Sequence, residues 1–120
     1  MTTLIVDDDP DMRLLIGMSL TLDGACEVTA EAADGEQALD AWERVHPDVV
    51  VLDMRMPGMT GMEVARRIFA KDPKQPIVIC SAYLDQDDRD EAARIGVIAC
   101  VDKTDMARLA EVVVSTARAA

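Results

Sequence analysis

Short apolar runs alternate with helical periodicity along the whole chain. Leu4 to Val6, Val49 to Leu52, Ile77 to Cys80 and Val97 to Val101 are brief and rich in β-branched residues. Strands buried on both faces of a parallel sheet read this way. The stretch Cys26 to Glu31 differs: Cys26, Val28 and Ala30 alternate with Glu27, Thr29 and Glu31, which predicts an edge strand with one wet side. Helix-start signals fill the gaps. Asp9-Pro10 offers an N-cap followed by proline at the first helical position. Asp34 with Gln37, and Thr60 with Glu63, have capping-box spacing, and Thr104 or Asp105 can cap the last helix. After Asp9, Leu15, Met18 and Leu22 at i, i+3 and i+7 predict one apolar helix face. The pattern is strand-helix repeated five times, which predicts an α/β domain with a parallel sheet and helices on both faces.

The length of 120 residues predicts a single domain spanning 1–120. Aromatic residues are 2% of the chain, so the core must come from Val, Ile, Leu, Met and Ala. The formal net charge of −11 argues against direct binding to nucleic acid or an anionic membrane. Cys26, Cys80 and Cys100 lack metal-ligand spacing and read as small buried hydrophobes of a reducing compartment. The N-terminus has no signal-peptide pattern, and no apolar run approaches the ~18 residues of a membrane span. A cytoplasmic location is expected.

Chemistry gathers where strands end. Asp7, Asp8 and Asp9 follow the first strand, Asp53 ends the third, Ser81 follows the fourth and Lys103 the fifth. In open parallel sheets the site lies beyond the carboxyl ends of the strands, so these residues should converge. Crowded carboxylates repel unless a cation neutralises them, and an oxygen-only site suits Mg²⁺. Lys103 and Ser81 offer donors for a phosphoryl oxygen. Taken singly, the acids read as a helix N-terminus, Asp53 as a turn, Lys103 as a loop charge and Ser81 as a cap.

Together these residues resemble the receiver domains of two-component response regulators over about residues 3 to 118. LIVDDDP resembles the first strand with its acidic pair, and VVVLDMRMPGMTGME the phosphoacceptor strand and loop. IVICSA resembles the hydroxyl-bearing strand, and VDK the lysine strand. The resemblance implies a flavodoxin-like, doubly wound five-stranded sheet of order 2-1-3-4-5 with five helices. It implies Asp53 as phosphoacceptor, with Asp7, Asp8, Asp53 and the main-chain carbonyl of Arg55 as Mg²⁺ ligands. Ser81 would be the switch hydroxyl and Lys103 the phosphoryl-binding lysine. The implied donor is a sensor histidine kinase or a phosphotransfer protein. Output would pass through residues 84–118 to a partner or output domain, with a homodimer on phosphorylation as one outcome. The domain would be a signalling module rather than an enzyme, either standing alone or cut from a longer regulator. Arg55 and Tyr83 occupy positions that tune self-hydrolysis in the family, and both are large enough to lean over the phosphoryl group.

Two positions depart from the family. Cys100 stands where an aromatic switch residue is frequent, and Thr104 follows the lysine where proline is frequent, so a cis bond there is not expected. Asp85, Asp87, Asp88, Asp90 and Glu91 read as acids at a helix N-terminus rather than a second metal site. Met54, Met56, Met59 and Met62 read as loop packing, and His46 as an ordinary loop residue. A phosphatase of the haloacid dehalogenase type is the enzyme alternative, since Asp7 and Asp9 have D-x-D spacing. A pseudo-receiver used only for docking is the other.

Overall fold

In the computed structural model of the chain, residues 1–22 and 24–119 are described, with side chains through Thr116. Five strands alternate with five helices. These are β1 (Thr2–Val6), α1 (Pro10–Thr21), β2 (Glu27–Ala32), α2 (Gly35–Val45), β3 (Val49–Leu52), α3 (Gly61–Lys71), β4 (Ile77–Ser81), α4 (Gln86–Ile95), β5 (Ala99–Asp102) and α5 (Met106–Ala119). All neighbouring strands are parallel, in the order β2-β1-β3-β4-β5. β1 therefore lies between β2 and β3, and the order reverses beside it.

The sheet separates two cores, as a doubly wound fold requires. On one face Leu4, Val6, Val50, Leu52, Ile77 and Ile79 meet Ala38 and Trp42 of α2, Val64, Ala65 and Ile68 of α3, and Ala92 of α4. On the other, Ile5, Val49, Val51, Val78, Cys80 and Val101 meet Ile16 and Leu20 of α1 and Leu109 and Val113 of α5. β3 is buried along its whole length, whereas β2 alternates exposed and covered positions, as its edge placement demands. Cys26 and Cys80 are buried, Cys100 is half-buried, and none forms a disulfide. Met54, Met56 and Met62 are buried and Met59 packs against them.

The caps hold largely as their spacing predicts. Asp9, Asp34 and Thr60 accept from Asp11, Gln37 and Glu63 amides respectively. Asp105 rather than Thr104 caps α5, accepting from the Arg108 amide at 3.2 Å. Asp85 caps α4 in a reciprocal box with Asp88. His46 is the left-handed C-cap of α2 (φ 46°) and meets the Trp42 ring edge-to-face.

Two expectations need correction. The Leu15, Met18, Leu22 face of α1 points outward, at 51%, 59% and 89% exposure, and Ile16 and Leu20 form the buried stripe instead. The segment from Leu14 to Leu22 is apolar nearly all round, so periodicity alone left its phase undetermined; packing against β1 and α5 decides it. The fifth strand begins at Ala99, not Val97. Gly96, at φ 115°, ends α4, and the Val97 amide is spent on the Ala92 carbonyl at 2.9 Å. The chain joins the sheet only afterwards, through the Ile98 amide and Ile77 carbonyl at 3.0 Å.

Candidate functional site

β1, β3, β4 and β5 end together, and their last or next residues form one pocket beside the reversal in strand order. The Asp53 amide donates to the Val6 carbonyl at 2.9 Å, which places its carboxylate next to the loop after β1. Asp53 is only 3% exposed, and Asp7 is fully buried. One carboxylate oxygen from each of Asp7, Asp8 and Asp53 lies within 4.8 Å of the other two. Asp9 takes no part in that cluster: it is exposed, and its Oδ1 accepts from the Asp11 amide at 2.9 Å. The D-x-D pairing of Asp7 with Asp9 is thus not what the backbone brings together.

Donors meet Asp53 on both oxygens. Ser81 Oγ donates to Asp53 Oδ1 at 2.8 Å, and the Arg55 amide reaches the same oxygen at 3.3 Å. Lys103 Nζ lies 3.2 Å from Asp53 Oδ2 and 2.9 Å from Asp7 Oδ2. Burial works against the Lys103 charge, but the Asp7 and Asp53 carboxylates beside it outweigh that and hold its pKa above the ordinary value. Beneath the pocket, burial pushes the Cys80 thiol up to about 12, against a weaker pull from Lys103. It is an inert neighbour.

The donor set fits a hard divalent cation: oxygens only, three carboxylates and no thiolate or imidazole. Asp7 supplies a further sign. Its Oδ1 accepts from the Asp9 amide at 2.9 Å, but its buried Oδ2 accepts no hydrogen bond and has the Lys103 ammonium 2.9 Å away as an ion-pair partner. A buried oxygen in that state is one a cation would satisfy.

Sequence reasoning missed three contributors. Arg13 donates to the Asp7 carbonyl at 2.6 Å while its Nε pairs with Glu31 of β2 at 3.3 Å, so it braces the acidic loop from the sheet edge. No motif signals this, because the contact crosses from α1 back to the loop before it. Gly61 begins α3 so close to β3 that a Cβ there would lie 2.1 Å from the Asp53 carbonyl. Asp88 takes the Arg55 side chain, whose Nη2 lies 2.9 Å from Asp88 Oδ2 and 3.4 Å from the Tyr83 carbonyl. Tyr83 is 87% exposed. The two residues expected to lean over the site therefore point elsewhere: Arg55 toward α4 and Tyr83 into solvent.

Comparison with known proteins shows the family and the fold. The family model described as the response regulator receiver domain matches residues 3–114. The chemotaxis protein CheY of Listeria monocytogenes is 44% identical over 79 residues, covering 66% of each chain. A protein-glutamate methylesterase/protein-glutamine glutaminase of Geobacter metallireducens is 44% identical over 85 residues, which are 71% of this chain but 24% of that protein. The matched stretch thus spans at most about two thirds of these curated relatives. Among solved structures, a chain of the CheX-CheY-BeF3-Mg+2 complex from Borrelia burgdorferi superposes with a TM-score of 0.89 at 26% identity, over 95% of this chain and 87% of that one.

Proposed function

The chain belongs to the response regulator receiver family, and on that premise we propose that it is a phosphorylation-driven switch with Asp53 as the acceptor. The observation that carries the reading is the convergence of Ser81, Lys103, Asp7 and Asp8 on one nearly buried carboxylate. A phosphohistidine on a sensor kinase or a phosphotransfer protein is the donor. An Asp53 oxygen attacks phosphorus, the phosphorus–nitrogen bond breaks with its electron pair going to the imidazole, and an acyl phosphate forms.

Asp7, Asp8, Asp53 and the Arg55 carbonyl would hold Mg²⁺. When bound, Mg²⁺ neutralises charge on the transferring phosphoryl oxygens. Lys103, 3.2 Å from Asp53 Oδ2, places a fixed positive charge beside the acceptor that offsets the charge of the incoming phosphoryl group. Ser81 holds the acceptor carboxylate in place before transfer and turns to a phosphoryl oxygen after it. Both Ser81 and Lys103 lead directly into α4, β5 and α5, so their movement reaches residues 84–118 first, where the output partner or domain is to be sought. The side chains of the last of these residues lie outside the described set. Leu14, Leu15 and Met18 on the exposed side of α1, which starts beside Asp8, give the donor an apolar surface to seat on. No described helix is long and apolar enough to cross a membrane. The module acts as a switch that is itself modified rather than as an enzyme turning over a substrate, and residues 1–120 form one such unit.

The test is labelling with a small phosphodonor. Intact mass should rise by one phosphoryl group in the presence of Mg²⁺ and not in EDTA, and Asp53→Asn should abolish the gain. Equal labelling of that variant would reassign the acceptor. Absence of labelling in the intact chain, from both the small donor and a histidine kinase, would favour a docking-only role.

A further inference from the structure

Helix α4 is anchored mainly by polar ties. Its one buried residue is Ala92. Ile95 packs partly buried against the core, and three arginines add polar ties: Arg55 from the loop after β3 pairs with Asp88, Arg66 of α3 pairs with Glu91, and Arg89 donates to the Cys100 carbonyl at 3.2 Å. Of these, Arg55 alone also touches the candidate acceptor. Its amide donates to Asp53 Oδ1 at 3.3 Å while its guanidinium bridges Asp88 Oδ2 at 2.9 Å and the Tyr83 carbonyl at 3.4 Å. A single residue therefore joins the acceptor, the β4–α4 turn and the first turn of α4.

Both partners of the guanidinium are poised to change. Asp88 Oδ2 serves twice, accepting the Asp85 amide at 3.3 Å as the return half of the capping box as well as Arg55. Tyr83 has φ 56°, a left-handed conformation that a bulky residue holds only when its surroundings pin it. The Arg55–Asp88 pair is itself weak in water, with side chains 57% and 23% exposed. A phosphoryl group brings more charge and two oxygens matched to the guanidinium fork, and so competes well against one half-exposed carboxylate.

We propose that Arg55 is a two-position latch that ties the start of α4 and the Tyr83 turn to the acceptor loop at rest, and moves to the phosphoryl group once Asp53 carries one. The latch rests on Asp53 being the acceptor. It gives the chain a route from the acceptor to α4 that needs no aromatic rotation at position 100, where the residue is Cys100. Freed of Arg55, Asp88 keeps only its capping role, and the turn at Tyr83 loses the contact that holds its carbonyl.

Two measurements test it. The first needs no phosphoryl chemistry: in the resting protein, Arg55→Ala should raise amide exchange at residues 84–88 by about 2–5-fold, the range an exposed ion pair supports, and leave β1 and α3 unchanged. Unchanged exchange at 84–88 overturns the tie. The second is titration with beryllofluoride and Mg²⁺ of the intact chain, Asp88→Asn, Arg55→Ala and the double variant. Asparagine retains an oxygen for the cap, and alanine retains the main-chain carbonyl. Asp88→Asn should bind about 2–5-fold more tightly because Arg55 is released. Arg55→Ala should bind more weakly, and the Asp88→Asn gain should vanish when Arg55 is absent. A gain that persists in the double variant is a general charge effect and overturns the latch alone. No beryllofluoride binding by the intact chain overturns the acceptor reading and the latch together.

Discussion

Replacing Lys103 with methionine removes one charge at nearly constant volume, and the structure sets what that should cost. The ammonium lies 2.9 Å from the Asp7 carboxylate and 3.2 Å from that of Asp53, residues 0% and 3% exposed. At the effective dielectric of a partly buried site, near 20, each contact is worth roughly 5 kcal/mol of gross attraction. Most of that is offset by the desolvation of the charges themselves. Breaking a buried pair by deleting one partner costs about 3–5 kcal/mol, because the remaining charge stays buried and unpaired. Lys103 is 19% exposed, so water can reach part of the space it leaves. The expected loss for Lys103→Met in EDTA is therefore ~2–4 kcal/mol.

The assay is urea unfolding followed by the fluorescence of Trp42, the single tryptophan, which is 6% exposed in the α2–α3 core. Mg²⁺ at a hundred times its dissociation constant should stabilise any native chain that binds it by about 2.7 kcal/mol. At one fixed Mg²⁺ concentration the gain should be larger in Lys103→Met than in the parent, since a competing cation has gone. The lysine pKa is raised on folding above its ordinary value of 10.5, so its contribution is complete below that pH and fades as pH rises through the folded value. The gap between parent and variant should accordingly close only in strong alkali. A loss under about 0.5 kcal/mol in EDTA, together with equal Mg²⁺ gains in both proteins, would refute the charge-balance reasoning.

Gly61→Ala should cost about 3 kcal/mol or more in the same unfolding assay, because the new Cβ would press 2.1 Å from the Asp53 carbonyl; a neutral result would mean the start of α3 can shift freely. On α1, Leu15→Gln and Met18→Gln should change stability by less than about 0.5 kcal/mol, whereas Ile16→Ala and Leu20→Ala should cost about 2–5 kcal/mol. The reverse ranking would restore the helix phase read from periodicity. At pH 8 a thiol with a pKa of about 12 is ionised to roughly one part in ten thousand, so native Cys80 should resist iodoacetamide until urea unfolds the chain. Native labelling at the unfolded rate would show that the strand opens.

Most of the fold was legible because its elements are spelled locally. A β-branched run bounded by turn residues has one economical reading, and repetition with helices between gives the parallel architecture. The edge position of β2 was visible in the alternation of Cys26 to Glu31, and the order β2-β1-β3-β4-β5 agrees with what the family resemblance implies. What failed was phase and boundary. Leu14 to Leu22 offers apolar residues in nearly every direction, so the choice between the Leu15 stripe and the Ile16 stripe lies in the partner surfaces. Val97 and Ile98 look like strand, but the C-cap at Gly96 spends Val97 first.

The site divides along the same line. Asp7, Asp8, Asp53, Ser81 and Lys103 could be gathered from sequence because each follows a strand, and a parallel sheet delivers all its carboxyl ends to one edge. Arg13, Asp88 and Gly61 could not, since their roles depend on where a side chain or missing Cβ falls across an interface. Arg55 shows the difference within one residue. Its main chain is fixed by its place two positions after Asp53, where its amide reaches Asp53 Oδ1 at 3.3 Å. Its guanidinium is free to choose among acceptors that only folding supplies. The choice of Asp88 links the pocket to α4, the helix with least apolar burial around it. A switch needs that combination. On the proposed reading the acceptor has to be rigid, which the buried strand end provides, and the responding element weakly held, which a helix with one fully buried residue and an exposed arginine tie provides.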